Sequence, residues 1–210
     1  MKLTKYEHAC LVLEIDNQTL VVDPGVFSES LPTLTNVVAI VVTHAHPDHL
    51  DRPRIEAILK ANPQAQIFST AEGSTELGNS VTVPELATDY QAGPFKLEFF
   101  GGMHAIVHSK IPQAQNFGVM INDKVYHPGD SFSLPNKPVN VLAAPVSGPW
   151  MKLGEAIDFV EAVKPRLVFG THNALLSEPG LGIVDNLFGL VSTSETAYQR
   201  LRTGESIVIS

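Results

Sequence analysis

At 210 residues, 44% of them apolar, the chain has enough material to bury the core of one globular domain spanning residues 1–210. A formal net charge of −8, from 22 acidic against 14 basic residues, excludes broad binding to nucleic acid or to an anionic membrane surface. One cysteine, Cys10, excludes an internal disulfide framework; with no apolar run long enough to span a bilayer, the expectation is a protein of the reducing cytoplasm.

Short strands are expected at residues 2–6, 10–15 and 19–22, the last two joined by a turn at Asp16-Asn17. Residues 37–43 continue with an apolar run of the kind found in strands buried on both faces. Directly after it comes His44-Ala45-His46-Pro47-Asp48-His49-Leu50-Asp51. Three imidazoles and a carboxylate within six residues, placed where a buried strand leaves the core, indicate a metal site. Residues two apart on an extended chain point to the same side, so His44 and His46 can share one ion. Pro47 then turns the chain, which lets Asp48 and His49 face a second ion. Asp51 is the expected N-cap of a helix running to about Ala61, with Pro53 in its first turn.

Further strands are expected at residues 67–70, 81–83, 95–100, 117–121 and 125–127, the last two joined by a hairpin turn at Asn122-Asp123, and at 139–146. A helix over 154–164 places Ile157, Val160 and Val163 on one face and ends at Pro165. A strand at 166–170, a helix over 195–202 and a closing strand at 206–209 complete the pattern. Strands dominate both halves, helices are interspersed, and no repeat or linker marks a second domain. The expected class is therefore α+β, two sheets packed face to face with helices outside. Three strand ends carry further potential ligands: His104 after Gly101-Gly102, Asp130 within Pro128-Gly129-Asp130-Ser131, and His172 after the 166–170 strand.

Taken in order, Asp23-Pro24-Gly25, the His44–His49 cluster, His104, Gly129-Asp130-Ser131 and His172 resemble the metallo-β-lactamase superfamily over nearly the whole chain. The early His8-Ala9, His127 beside the Gly-Asp pair, and the compact length are similar to its branch of small, single-domain hydrolases that includes ascorbate-phosphate lactonase-like proteins. The resemblance implies an αββα sandwich of two mixed β-sheets flanked by helices, with a dinuclear site at one edge. Carried over, His44, His46 and His104 bind the first ion, and Asp48, His49 and His172 bind the second. Asp130 bridges the pair, and Asp23 holds the histidine-rich loop through hydrogen bonds or serves simply as a turn carboxylate. The usual Gly-His-Thr setting of the third histidine is absent, and His108, four residues beyond His104, stays open as the alternative ligand.

The implied activity is metal-dependent hydrolysis, with a hydroxide between two divalent ions attacking an ester, lactone or phosphodiester of a small molecule. Zinc suits such a site, and manganese or iron would accept the same donors. Asp48, His8, His108 and His127 are the catalytic candidates for moving a proton or orienting substrate. Pro149-Trp150-Met151 either walls the pocket or packs in the core. A small-molecule substrate is expected, anionic if the ions offset the protein's charge, with no nucleic acid or membrane partner; homo-oligomers stay open. A di-iron oxidoreductase and a catalytically idle metal-binding or partner-binding domain are the alternatives. The superfamily's oxygen reductases resemble fusions with a flavin-binding domain, for which 210 residues leave no room.

Overall fold

A computed structural model describes residues 1–78 and 80–210 of the chain. Strands β1 (Lys2–Lys5), β2 (Leu11–Ile15) and β3 (Gln18–Val22) form an antiparallel meander. Asp16 and Asn17 both take positive φ, 47° and 62°, in the two-residue turn that sets Ile15 opposite Gln18. Strands β4 (Val37–Val41), β5 (Gln66–Phe68) and β6 (Val81–Thr82) then join in parallel, with helices α1 (Arg52–Ala61) and α2 (Ala71–Leu77) between them.

The second half repeats this logic. An antiparallel set, β7 (Asp89–Ala92), β8 (Phe95–Met103), β9 (Gln115–Ile121) and β10 (Val125–His127), leads into the parallel strands β11 (Val141–Pro145), β12 (Leu167–Thr171) and β13 (Ala197–Tyr198). Helices α3 (Leu153–Val163) and α4 (Glu178–Phe188) connect the parallel strands, and β14 (Ser206–Val208) returns to pair with β1. Among the described residues each sheet has seven strands, ordered β14-β1-β2-β3-β4-β5-β6 and β13-β12-β11-β10-β9-β8-β7.

Hydrophobic patterning explains the layers. Leu20, Val22, Ala39, Val41 and Phe68 of the first sheet meet Phe95, Leu97, Phe99, Val119 and Phe169 of the second in the central core. The alternate residues Val21, Ile40 and Val42 face the other way and pack under Ile55 and Ile58 of α1. Strand β4 is thus covered on both faces, which is why its sequence is continuously apolar rather than alternating. On the far side, Ala156, Phe159 and Val160 of α3, with Val184 and Phe188 of α4, cover Met120, Tyr126, Leu142, Ala144 and Val168. The result is the expected α+β sandwich of two mixed sheets with helices outside.

Several elements differ from the sequence expectation. Residues 195–202 form no helix; they hold the edge strand β13 within irregular chain. Thr196, Tyr198 and Arg200 turn inward while Ala197 and Gln199 face solvent, a period of two rather than 3.6. Tyr198 Oη donates to Asp185 Oδ1 at 2.7 Å and Arg200 pairs with Asp185 and Glu178, so contacts with α4 override local helix preference. Helix α3 buries Ala156, Phe159 and Val160, leaving Ile157 and Val163 only half-buried, so its inner face is rotated from the expected stripe. Asp51 occupies the N-cap of α1, but its carboxylate makes no capping bond and lies 3.3 Å from Arg54 Nε. Helices α2 and α4 and strand β7 were not anticipated. Among the described residues, no helix is long and apolar enough to cross a membrane.

Candidate metal centre

Pairing directions put all the chemistry on one edge of the sandwich. In the first sheet β1, β3 and β4 run the same way, as do β8, β10, β11 and β12 in the second. Every residue of interest follows the carboxyl end of one of these strands: His8 after β1, Asp23 after β3, and the His44–Asp51 loop after β4. His104 follows β8, Asp130 follows β10, Trp150 follows β11 and His172 follows β12. Strand carboxyl ends are where rigid sheets present loops to ligands.

The backbone of this edge is held in sparsely populated conformations. His8, Asp23 and His172 all have positive φ, 58°, 47° and 57°. Gly25 brings its own backbone against the histidine-rich loop; a Cβ there would lie 1.9 Å from the Asp48 carbonyl oxygen. Gly129 has φ +61°, and a Cβ there would meet Asn116 Oδ1 at 2.3 Å. Asn116, fully buried, accepts from the Asp130 N–H at 2.9 Å and donates to the Pro128 carbonyl at 2.9 Å, fixing the turn that carries Asp130.

Donor atoms gather in two sets. His44, His46 and His104 place ring nitrogens within 4.8 Å of one another, and so do the ligand atoms of His8, Asp48, His49 and His172, a carboxylate oxygen in the case of Asp48. Asp130 lies between them, with Oδ2 3.3 Å from His104 Nε2 and 2.9 Å from His172 Nε2, and Oδ1 3.2 Å from His49 Nε2. The imidazoles are oriented from behind. His49 Nδ1–H donates to Asp23 Oδ2 at 2.8 Å, and His104 Nδ1–H donates to the Ala105 carbonyl at 2.6 Å. Thr43 Oγ1–H is engaged by Asp23 Oδ2, so its oxygen accepts from His44 Nδ1–H at 3.1 Å. With the proton fixed on Nδ1, all three rings present a bare Nε2 forward.

Asp23 anchors this arrangement. It is fully buried and accepts from the Thr43 N–H, the Thr43 hydroxyl, His49 Nδ1 and His127 Nε2, at 2.7 to 2.8 Å. Burial alone would raise its carboxyl, but His49 and His127 hold it well below the usual carboxylate range. Burial likewise disfavours charge on His49, yet Asp130 and Asp23 on either side lift its pKa well above that of a free imidazole. The two carboxylates flanking His49 therefore favour a positive charge beside its ring. His44 shows the opposite balance: burial, then His49, push it well below the usual histidine range.

The donor set fits divalent cations. Among the described residues, Nε2 of His49, His104 and His172 and Oδ1 of Asp130 are buried without a hydrogen-bond partner. A buried polar atom left unpaired costs about 1–3 kcal/mol, and four gathered around the Asp130 carboxylate call for cationic charge there.

Of the other catalytic candidates, His8 and His127 stand beside the donor groups and His108 stands apart. His8 is fully buried beneath Asp48: its Nδ1 accepts from the Ala174 N–H at 3.3 Å, so Nε2–H donates to Asp48 Oδ2 at 3.0 Å. That proton leaves His8 without a free donor atom for a metal. His127 sits behind Asp23, and His108 is exposed, its Nδ1 accepting from the Lys110 N–H. None of the three lines the cavity in front of the site, whereas Asp48, His46, His104, Asp130 and His172 form its floor. The structure brings His104, not His108, to the donor group. Trp150 does both things open to it: it is 8% exposed, walls the cavity, and donates Nε1–H to Asp130 Oδ2 at 2.9 Å. Sequence gave no signal for Asn116 or Thr43, whose roles come from distant partners.

The fold and this edge define a class. The β-lactamase superfamily domain matches residues 2–172. The chain belongs to the metallo-β-lactamase superfamily. It is 34% identical over 188 residues to Protein Rv0786c of Mycobacterium tuberculosis, covering 87% of this chain and 89% of that one. It is 27% identical over 194 residues to a UPF0173 metal-dependent hydrolase of Salinibacter ruber, covering 82% and 84%. Among solved structures it is similar to the metallo-β-lactamase fold protein YhfI of Bacillus subtilis, with a TM-score of 0.75, 16% identity and 98% of each chain covered. The likeness is to small proteins of the superfamily; none of these relatives bears on the narrower likeness to ascorbate-phosphate lactonase-like proteins.

Proposed function

We propose that this chain, a metal-dependent hydrolase by family and by donor set, works with two divalent ions on an ester, lactone or phosphodiester bond of a small molecule. The observation that carries the reading is the cluster of buried, partnerless atoms on His49, His104, His172 and Asp130. His44, His46 and His104 would hold one ion, Asp48, His49 and His172 the other, and Asp130 would be shared. When bound, such a pair lowers the pKa of a water towards 7 and polarises the oxygen under attack. Zinc suits this imidazole-rich set, and manganese or iron accepts the same donors.

The chain's own work is positional and protonic. Asp23, Thr43 and the Ala105 carbonyl keep three imidazoles in the tautomer that offers Nε2. His8 holds Oδ2 of Asp48, and Trp150 holds Oδ2 of Asp130. Of Asp48, His8, His108 and His127, Asp48 is the one that lines the cavity, which supports a role for its carboxylate in taking a proton from the attacking water.

Metal analysis of the purified protein, followed by assays against esters, lactones and phosphodiesters, tests the proposal. Two ions per chain are expected, with turnover lost on chelation and restored by added metal. Asp48→Ala and His172→Ala should keep the fold and abolish turnover; hydrolysis at the parental rate by either would end the dinuclear reading. A di-iron oxidoreductase is the second reading, because the same donors accept iron; iron in the protein together with oxygen consumption would establish it.

A further inference from the structure

Above its floor, the cavity of about 380 Å³ is walled by Val26, Phe27, Val107, Pro149, Trp150 and Leu175. None of these offers a free hydrogen-bonding side chain, since Trp150 Nε1 is already engaged by Asp130 at 2.9 Å. Among the described residues, no lysine or arginine lines the space. Lys96, Lys137 and Arg200 are committed to carboxylates elsewhere, and Lys110 and Lys152, exposed in the loops that carry Val107 and Trp150, do not line the space. Val26 and Leu175 stay 41% and 66% exposed at the mouth, apolar surface that a bound molecule could cover.

Recognition of phosphate or carboxylate relies on arginine, lysine or a cluster of backbone N–H donors. The walls supply none of the side chains, so an anionic group outside the metal floor would leave water for hydrocarbon with no counter-charge. The volume sits at the small end of the range for small-molecule sites, about 300–1,000 Å³.

We infer that the substrate is a small uncharged ester or lactone whose apolar acyl or alkyl group packs against Val26, Phe27, Val107 and Trp150, in place of a phosphodiester or a carboxylate-bearing ester. The inference rests on the hydrolytic reading above. In the reaction, the oxygen of water forms a bond to the acyl carbon and the acyl–oxygen bond breaks. The departing oxygen takes one of the water's protons and the other is released to solvent, giving a carboxylate and an alcohol, joined in one molecule when a lactone opens.

The metal-loaded protein is assayed with para-nitrophenyl pentanoate, para-nitrophenyl hydrogen glutarate and bis(para-nitrophenyl) phosphate. The pentanoate should exceed the other two in kcat/KM by about 100-fold, the cost of setting a charge against an apolar wall. Val107→Lys should shrink that preference at least tenfold at unchanged metal content. Trp150 is the single tryptophan of the chain, so its fluorescence reads occupancy without turnover. Quenching should occur at lower concentrations of 2-octanone than of 7-oxooctanoate, and Val107→Lys should narrow the gap. Equal or better use of the glutarate or phosphate, or tighter binding of the oxo-acid, overturns the inference. Selective quenching by the ketone with no hydrolysis of any ester would uphold the apolar pocket and defeat the hydrolytic reading instead.

Discussion

Asp23 is the side chain from which the histidine-rich loop hangs. Four donors converge on it, two from Thr43 and one each from His49 and His127. Asp23→Ala would strand all four in a buried site, so it is expected to lower stability by about 3–5 kcal/mol and metal affinity by roughly 10–100-fold. Thermal denaturation and metal titration of the variant check both; an unchanged affinity would mean that the loop orients itself. Trp150→Phe is the milder companion. It keeps a ring in the wall but removes the hydrogen bond to Asp130 Oδ2, and metal affinity should fall by roughly the same 10–100-fold with little change in fold. At this scale the sequence was legible where donors are dense, at residues 44–49, and at the strand ends carrying His104, Asp130 and His172. The orienting partners were hidden for a physical reason. The Ala105 carbonyl is backbone, and Asn116 reaches Asp130 across 14 positions of chain, so neither leaves a local pattern.

Elements were legible in proportion to how far local patterning agrees with burial. The apolar run of β4 and the Asx-Asx turns at Asp16-Asn17 and Asn122-Asp123 carry their own instructions, and all three formed as expected. Helix α4 does not, because Gly180, Gly182 and Asn186 weaken its propensity; Ser177 caps it by accepting from the Gly180 N–H at 3.4 Å, and packing of Val184 and Phe188 supplies the rest. Residues 195–202 show the converse, a segment with helical composition drawn straight by the open edge of β12 and by Asp185. The turn at Asp23-Pro24-Gly25 makes a sharper prediction. Val26 N–H donates to the Pro47 carbonyl at 2.9 Å, locking this turn to the metal loop at a distance only glycine permits. Gly25→Ala must push the Asp48–His49 backbone away, at about 1–3 kcal/mol for overpacking. Melting temperature and bound metal should drop together, and a variant that melts lower yet holds its full metal complement would uncouple the turn from the site.

Across the whole molecule, polar contacts join the two sheets at the site edge, among them Phe117 N–H to the Thr43 carbonyl and His127 to Asp23, and Lys5 makes another. It ends β1 of the first sheet, is 1% exposed, and donates from Nζ to the Tyr6 carbonyl at 2.8 Å and to Asn173 Oδ1, beyond β12 of the second, at 3.2 Å. Burial lowers its pKa from 10.5 to about 8, with Cys10 and Glu7 opposing the shift only in part. The folded protein therefore binds this proton less tightly than the unfolded chain does. Below pH 8 both states are protonated and the fold carries the full penalty of a buried ammonium. Between pH 8 and 10.5 the unfolded chain holds the proton while the folded one sheds it, so this residue's contribution to stability rises with pH. Lys5→Met removes the titration while keeping an unbranched chain. The unfolding free energy of the native protein, measured relative to Lys5→Met in urea, should climb by about 3 kcal/mol between pH 8 and 10.5, given a pKa lowered from 10.5 to about 8. Reading the difference between the two proteins removes the main part of the Cys10 contribution, since burial pushes that thiol up to about 12 in both folds; the Lys5 charge is the smallest of the influences on it. A difference that stays flat across that window would show that the Lys5 ammonium is as well solvated between the sheets as it is in water.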